Sequence, residues 1–251
     1  MSLAATIEMF CLGVAFGAFG GLFGVGGGII AIPMLVLLFG MTEQAAQGTA
    51  LVMMLPTVLL GFWKYQRRNS IDLRMAALLA VTAVVATYLA ARTANALSSD
   101  TLRAAFAGFL VLVSFYLAWK ALRSIENQKP RWQLRWTWSW LVGVTGGLLS
   151  GLFGVGGATI APPALTTFFG LSQTAAQGLA LAMIAPGVVV ALAVYAQAGA
   201  VHWSSGLAMA VGSLIAVPAG VAAAHKLKGE KLRLLFCGFL IFSATMIIAG
   251  H

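Results

Sequence analysis

The chain has 251 residues, of which 61% are hydrophobic and only 8% are charged, whereas a soluble domain carries roughly 25% charged residues. A soluble fold could not bury this much apolar surface, so the composition predicts a multi-pass protein of the lipid bilayer and leaves no room for a separate soluble domain. The net charge of +9 does not indicate a nucleic-acid partner, because the basic residues cluster at the ends of apolar segments, where they orient membrane proteins.

Apolar segments follow one another along the chain, five in each half. They cover roughly residues 4–22, 28–40, 46–65, 74–92 and 102–120, and then roughly 137–152, 158–170, 176–197, 204–224 and 231–249. A membrane span requires about 20 apolar residues, and the second segment of each half is too short for one. We therefore expect an all-helical membrane protein with about eight full spans and, at both of these places, a half-helix or one arm of a broken hairpin.

The two halves are copies of one unit, because the sequence matches itself without a gap over about fifty residues. Residues 21–27, GLFGVGG, recur at 151–157, and residues 45–48, AAQG, recur at 175–178. The same register pairs prolines and tyrosines, namely Pro33 with Pro163, Pro56 with Pro186 and Tyr65 with Tyr195. The duplication predicts three regions, which are a first transmembrane repeat over 1–122, a basic cytoplasmic linker over 123–135 and a second transmembrane repeat over 136–251.

The distribution of Lys and Arg predicts how the repeats are oriented. These residues collect in three loops, near 64–74, 120–135 and 226–233. Because cytoplasmic loops are enriched in Lys and Arg, all three lie inside only if each repeat has five segments and the second repeat is inverted. Both termini and the loop near 197–203 then face outside, with Arg92 and Arg103 fitting the rule poorly. A parallel arrangement of four spans per repeat, the less favoured alternative, would put residues 226–233 outside.

The Gly-rich stretches at 24–28 and 154–157 are the first candidate for a functional site. So many glycines weaken or break a helix, and irregular backbone at membrane depth persists only where protein buries it or where it lines a cavity. Paired discontinuous helices at matching positions indicate the substrate site of transporters with inverted repeats. The free N–H groups and the dipole of each short helix would attract an anion. The alternative is close helix packing at small residues.

Polar side chains near these stretches are the next candidates. Gln47 and Gln177 hold matching positions, and an amide can donate two hydrogen bonds to an oxyanion; the alternative is that they bond neighbouring helices. Thr49 and Thr159 have no hydroxyl counterpart in the other repeat, as binding of an asymmetric substrate would require, although sequence drift explains this equally well. The paired tyrosines are expected to be anchors at the membrane interface.

Metal, cofactor and enzyme chemistry are not expected. His202 and His225 have no second ligand at metal-binding spacing. Neither Gly-rich stretch ends in the Gly-Lys-Ser/Thr of a nucleotide-binding loop, and the motifs of intramembrane hydrolases are missing from the sequence. The six acidic residues, Glu43 among them, are expected mostly in loops, and only Glu8 is considered as an acid within a span.

Residues 24–28 (GVGGG), Pro33, residues 46–51 (AQGTAL) and Tyr65, repeated in the second half, resemble the TauE/SafE family of sulfite exporters over nearly the whole chain. The resemblance implies a permease of the bacterial inner membrane for sulfite, sulfonates such as sulfoacetate, or related sulfur anions. It also implies substrate-binding roles for Gly26, Gly27, Gly28, Gln47, Gly48, Thr49, Gly156, Gly157, Gln177 and Gly178. The second half departs from the family pattern at Ala158 and Leu179, which makes its contribution to binding less certain.

The predicted function is secondary transport of a small sulfur-containing anion by alternating access between the two repeats. The expected partners are this anion and the lipid bilayer, with no nucleic acid, and the sequence is compatible with a homo-oligomer. Two alternatives stay open, an anion channel of the same architecture and a membrane assembly protein without transport activity.

Overall fold

The structure is a computed structural model of the chain, and it describes residues 3–23, 26–68, 72–122, 134–157, 160–226 and 238. Within these ranges the regular structure is entirely helical. Its α-helices are α1 Leu3–Phe23, α2 Gly28–Phe39, α3 Glu43–Arg68, α4 Leu73–Ala96, α5 Ser99–Leu122, α6 Ser139–Phe153, α7 Ala161–Phe169, α8 Gln173–Gln197 and α9 Trp203–Lys226. A 3₁₀ turn, Trp136–Trp138, precedes α6.

The prediction of an all-helical multi-pass membrane protein is confirmed for the described part of the chain. Five of its helices, α1, α3, α4, α8 and α9, are long and apolar enough to cross a membrane. The two segments predicted to be short are indeed short, since α2 has 12 residues and α7 has 9. The tenth predicted segment, near 231–249, lies outside the described residues except for residue 238, and so does most of the linker at 123–135. The number of full spans and the inverted orientation stay predictions.

In both halves, the turn from the short helix to the next long helix has a glycine at its start and a capping hydroxyl residue before the long helix. The two short helices end at Gly40 and Gly170, which have φ values of 60° and 68°, in the left-handed region that favours glycine. The next helices begin with capping hydroxyls, because Ala45 N–H donates to Thr42 Oγ1 and Ala175 N–H donates to Ser172 Oγ. The two halves therefore make the turn from the short helix to the following long helix in the same way.

Helices of one half pack mainly against helices of the other half. The most extensive contacts join α1 to α9 and α4 to α6, while α3 contacts α8 and α9, and α8 also contacts α4. In the repeat register α1 matches α6, α3 matches α8 and α4 matches α9. Each of these contacts therefore has a counterpart with the two halves exchanged.

Glycines allow the closest of these contacts. A β-carbon on Gly13 or Gly17 of α1 would collide with the α9 backbone at Met209 or Ser213. The matching residues of α6, Gly143 and Gly147, contact α4 in the same way. Small residues four apart let transmembrane backbones approach, so packing explains the glycines inside α1 and α6.

Candidate functional site

The helical backbone is interrupted at both Gly-rich stretches. We call Gly26 and Gly27, the described residues between α1 and α2, the first break, and residues 154–157 and 160, the described residues between α6 and α7, the second break. Gly26 and Gly27 have φ values of 73° and 79°, and Gly154, Gly156 and Gly157 have 64°, 77° and 63°. A side chain at any of these positions would be strained. These glycines therefore shape loops, unlike the packing glycines of α1 and α6.

The two breaks meet in the interior of the protein. A β-carbon built on Gly28 would lie 3.2 Å from the carbonyl oxygen of Gly154, and one on either Gly26 or Gly156 would lie 3.1 Å from Cε of Met54. Met54 lies in α3 and is fully buried. The breaks thus approach each other around one side chain, although they are separated by more than a hundred residues in sequence.

Each break leads directly into the N-terminus of a short helix. The carbonyl of Gly27 accepts hydrogen bonds from the N–H groups of Ile30 and Ala31 at 3.2 and 3.0 Å. The carbonyl of Gly157 similarly accepts from Ile160 and Ala161, at 3.3 and 3.2 Å. The first N–H groups of a helix have no partner inside it, and its N-terminus carries a partial positive charge. Two such ends therefore lie at the centre of the protein.

A narrow void borders the second break. Gly156, Ser150 and Thr87 line it, together with apolar residues of α4, α6 and α8, and it has no room for a water-sized sphere. Ser150 Oγ is buried and has no hydrogen-bond partner, whereas Thr87 Oγ1 donates to the carbonyl of Gly147 at 3.0 Å. The void contains no charged lining residue. It is an occluded, uncharged space with one free hydroxyl.

Gln47 connects the first half to the second break. Its side chain is fully buried in α3, and a β-carbon on Gly154 would lie 3.2 Å from the β-carbon of Gln47. The Tyr195 hydroxyl donates to Gln47 Oε1 at 2.5 Å and also lies 3.1 Å from the Gly151 carbonyl, to which it can donate. The expectation that Tyr195 is an interface anchor is wrong, because the residue is fully buried. The side chain of Tyr65 lies outside the described residues.

The remaining candidates lie at different distances from the breaks. Gly48 packs against the carbonyl of Ala200, and Thr49 Oγ1 accepts a hydrogen bond from the backbone N–H of His202 at 3.1 Å. Both therefore contact the loop between α8 and α9. Gln177 and Gly178 lie near the start of α8, where Gln177 is half-buried and Gly178 is buried. Thr159 lies outside the described residues.

Sequence reasoning missed one residue of this region. Glu43, expected in a loop, is fully buried in the first turn of α3, and Gln47 Nε2 donates to its Oε1 at 3.1 Å. The signal was available, because residues four apart share one face of a helix. Arg103 of α5 fits the orientation rule poorly, and its charge interacts with that of Glu43. Only the folded structure brings these two residues together.

Comparison with known proteins gives a consistent family assignment. The family model described as Sulfite exporter TauE/SafE matches residues 9–247. The probable membrane transporter protein YunE of Bacillus subtilis is 24% identical, over 94% of this chain and 95% of its own length. The probable membrane transporter protein MJ0441 of Methanocaldococcus jannaschii is 27% identical, over 61% of this chain and 59% of its own length. No solved structure matches the chain.

Proposed function

The chain belongs to the TauE/SafE family of sulfite exporters and is a multi-pass membrane transporter, and from this premise we propose its substrate class and mechanism. The substrate is a small sulfur-containing anion such as sulfite, sulfoacetate or a related organosulfonate. The protein carries it across the cytoplasmic membrane by alternating access. The two repeats are inverted relative to each other, and they form the substrate site where their breaks meet.

The meeting of the two breaks is the observation that carries the proposal. Two helix N-termini from different halves lie near each other in a buried region, and together they offer backbone N–H groups to an anion. Gln47 packs beside Gly154 through its Cα, Cβ and Cγ, and its amide nitrogen has a second N–H besides the one donated to Glu43. A site built from amides and dipoles attracts an anion without a buried lysine or arginine, and it releases the anion more readily than a fixed cation would, as transport requires.

The substrate-binding residues of the proposal are those that the family motif marks, now sorted by position. The glycines of the two breaks, Gly28 and Gln47 contact the substrate. Gln177 of α8 and Thr159, which lies outside the described residues, belong to the same site. Gly48 and Thr49 act less directly, because both contact the loop between α8 and α9. Their proposed role is to position Gln47, which precedes them in the same helix.

The exchanged packing of the two halves supports alternating access. Because α1 packs on α9 while α6 packs on α4, each half supplies equivalent surfaces to the other. Two such halves can exchange conformations, so that a site open to one side becomes open to the other. The glycine contacts at Gly13 and Gly143 keep these helix pairs together as units during that movement.

Hydrogen bonds join the helix ends and loops on the face of the protein where Glu43 lies. Glu43 N–H donates to Ser99 Oγ at 3.0 Å, and Gln44 Nε2 donates to the Leu97 carbonyl at 2.9 Å. These bonds join the start of α3 to the turn between α4 and α5. The bond between Thr49 and His202 joins α3 to the loop between α8 and α9. Under the predicted orientation this closed face is the outer one.

The matching face of the second half has a cavity of about 210 Å³ among its described residues, lined by Asp72, Trp136, Phe169 and Leu179 among others. In the repeat register Leu179 matches Thr49 and Asp72 matches His202, the pair that closes the opposite face. Under the predicted orientation this cavity lies on the cytoplasmic face.

Thermal stability measured with a panel of anions tests the proposal. The purified protein in detergent is heated with sulfite, thiosulfate, sulfoacetate, taurine, sulfate, phosphate or chloride. A ligand that binds the folded state stabilises it by mass action, so a sulfur anion should give a saturable shift that chloride and phosphate do not give. If none of the sulfur anions shifts the unfolding midpoint, the proposed substrate class is wrong.

A pair of glycine variants then locates the site. Gly154→Ala and Gly40→Ala both place a methyl group on left-handed backbone, at a similar cost of about 1–2 kcal/mol. The new methyl lies 3.2 Å from Gln47 in the first variant and meets nothing within 4 Å in the second. We expect Gly154→Ala to weaken anion binding by about tenfold or more, equivalent to about 1.4 kcal/mol, and Gly40→Ala to keep the wild-type affinity. Equal affinities in the two variants would place the site elsewhere.

A further inference from the structure

Glu43 stands apart from every other acidic residue that the structure describes. Among the residues whose side-chain burial the structure describes, it is the only charged one that is fully buried. Its Oε1 accepts a hydrogen bond from Gln47, whereas its Oε2 is buried without any hydrogen-bond partner. An ionised carboxylate in this position lacks the hydrogen bonds that would replace its lost hydration, which is costly. A protonated carboxyl at the same place is neutral.

The residue that could neutralise Glu43 does not form a bond with it. Arg103 of α5 lies close enough for its charge to act on Glu43, but its Nε is also buried without a hydrogen-bond partner. The Glu43 N–H donates to Ser99 Oγ at the start of α5, and Arg103 lies one helical turn after Ser99 on the same face of α5. The two side chains are therefore near each other without a bond between Glu43 Oε2 and Arg103 Nε. Such a pair has two arrangements, one with Glu43 protonated and apart from Arg103, and one with Glu43 ionised and bound to it.

The other titratable groups that the structure describes around Glu43 are bonded elsewhere or exposed. α8 contributes the Tyr195 hydroxyl, which is bonded to Gln47. α5 contributes Asp100 besides Arg103, and Asp100 is exposed. His202, which precedes α9, is exposed and contacts α3 through its backbone. α2 has no titratable residue in its sequence.

Glu43 is also connected to the place where the substrate is proposed to bind. Gln47 joins it to the Tyr195 hydroxyl, which reaches the Gly151 carbonyl at the end of α6, next to the second break. A movement of Glu43 toward Arg103 would pull on the Gln47 amide. A change of protonation at Glu43 can therefore alter the arrangement of the substrate site in the other half of the protein.

We propose that Glu43 binds and releases the proton that drives this transporter. Arg103 pairs with the Glu43 carboxylate when the proton has left. This inference rests on the proposed function, and it names the coupling ion. Loss of the proton from Glu43 Oε2 to water leaves a carboxylate that pairs with Arg103 and draws α5 toward α3, while regaining a proton releases Arg103. Position 173, which matches Glu43 in the repeat register, holds Gln, so only the first half carries this proton site.

Infrared spectroscopy of the purified full-length protein tests proton binding without any substrate. Difference spectra between mildly acidic and mildly alkaline buffer should show the absorption of a protonated carboxyl group, lost as the pH rises. Glu43→Gln, which keeps the size and hydrogen bonding of the side chain, should abolish this absorption. Asp100→Asn, at an exposed position nearby, should retain it. If the absorption persists in Glu43→Gln, the assignment of the proton to Glu43 is overturned.

Transport in proteoliposomes tests the coupling. Sulfoacetate and thiosulfate are the probes, because both stay ionised across this pH range, whereas sulfite itself exchanges protons. The membrane potential is clamped, and a difference of one pH unit is set across the membrane. If one proton moves with each anion, this tenfold proton gradient should support about tenfold accumulation of the anion in the wild type. Glu43→Gln should abolish accumulation and proton flux but keep anion exchange between the two sides within about twofold.

The two experiments test the proton-binding role of Glu43 separately from the proposed transport of a sulfur-containing anion. Proton-driven accumulation by Glu43→Gln would refute the coupling role of Glu43. If the wild type transports neither probe, the proposed substrate class fails, while the infrared result still decides whether Glu43 binds the proton. Asp100→Asn should behave as the wild type in both experiments, which excludes a general effect of removing an acidic residue from the region around the start of α3.

Discussion

At the scale of residues, the interior of this protein contains a chain of polar groups that crosses between its halves. Glu43 and Gln47 lie on one face of α3, and Tyr195 joins them from α8. Hydrogen bonds in a low-dielectric interior are strong, and a group left without its partner there is costly. These polar residues therefore define one specific packing of α3 against α8.

Removing the Tyr195 hydroxyl tests the contribution of this chain. Tyr195→Phe leaves Gln47 Oε1 and the Gly151 carbonyl without their donor, so we expect a loss of about 1–3 kcal/mol in the free energy of unfolding. Tyr88→Phe is the matched control, because Tyr88 is 42% exposed and its hydroxyl contacts Arg92 on the surface of the same helix. The control should change stability by no more than about 0.5 kcal/mol.

Unfolding midpoints in one detergent and at one heating rate compare the two variants with the wild type. If Tyr195→Phe is as stable as Tyr88→Phe, the hydrogen bonds of the buried chain do not contribute to folding.

The sequence identifies some residues of this chain of polar groups but not their contacts, because a repeat is visible in a sequence and a tertiary contact is not. Gln47 stands out because it recurs at Gln177 in an otherwise apolar segment, and a repeat can be read without a structure. Tyr195 also recurs, but the sequence cannot show that its hydroxyl faces a buried amide. Arg103 meets Glu43 only because α5 returns to the start of α3, and neither periodicity nor spacing contains that contact.

At the scale of elements, glycine has two separate roles in neighbouring stretches of the chain. In α1 and α6 a series of glycines spaced four residues apart keeps helical backbone and contacts another helix, namely Gly13 and Gly17 in α1 and Gly143, Gly147 and Gly151 in α6. In the two breaks they are nearly consecutive and adopt positive φ. The sequence predicted the interruptions and the short helices that follow, because glycine density and segment length are local properties. It did not identify which helices the packing glycines contact.

A glycine in a helix contact should be far less tolerant of substitution than one facing open space. A β-carbon on Gly147 would lie 2.8 Å from the α-carbon of Ala83 and 2.9 Å from the β-carbon of Ala86, so Gly147→Ala must push α6 away from α4. We expect it to lower the free energy of unfolding by about 1–3 kcal/mol. Gly108→Ala in α5 meets nothing within 4 Å and should be neutral or stabilising by up to about 1 kcal/mol, because alanine favours helix.

Thermal unfolding of both variants, again at one heating rate, checks this difference. A similar midpoint for the two would mean that the α4–α6 contact is loose enough to accommodate a methyl group.

At the scale of the whole molecule, the two halves are interlocked rather than placed side by side. α1 finds its main partner in α9, and α6 finds its main partner in α4. The duplication itself was readable from sequence, because it preserves residue identities. The exchange of partners was not, since an apolar helix has no side-chain pattern that selects one apolar neighbour over another in a membrane.

The orientation of the halves can be decided with one pair of positions. Leu73 follows α3 and Ala198 follows α8, and in the repeat register these two turns correspond. If the repeats were parallel, both turns would lie on the same side of the membrane. If the second repeat is inverted, as the basic loops predict, they lie on opposite sides, with Ala198 outside. Both residues are exposed, so both are accessible to a reagent on their own side.

Single cysteines at these positions, in a protein with Cys11 and Cys237 replaced by Ser, make the comparison direct. A membrane-impermeant maleimide added to intact cells should label Ala198→Cys and should label Leu73→Cys only after the membrane is permeabilised. Labelling of both from the same side would show that matching turns share one side, which requires parallel repeats. Parallel repeats do not present the same site to opposite sides of the membrane. The proposed alternating access would then lose its structural basis, because it depends on the two halves exchanging equivalent conformations.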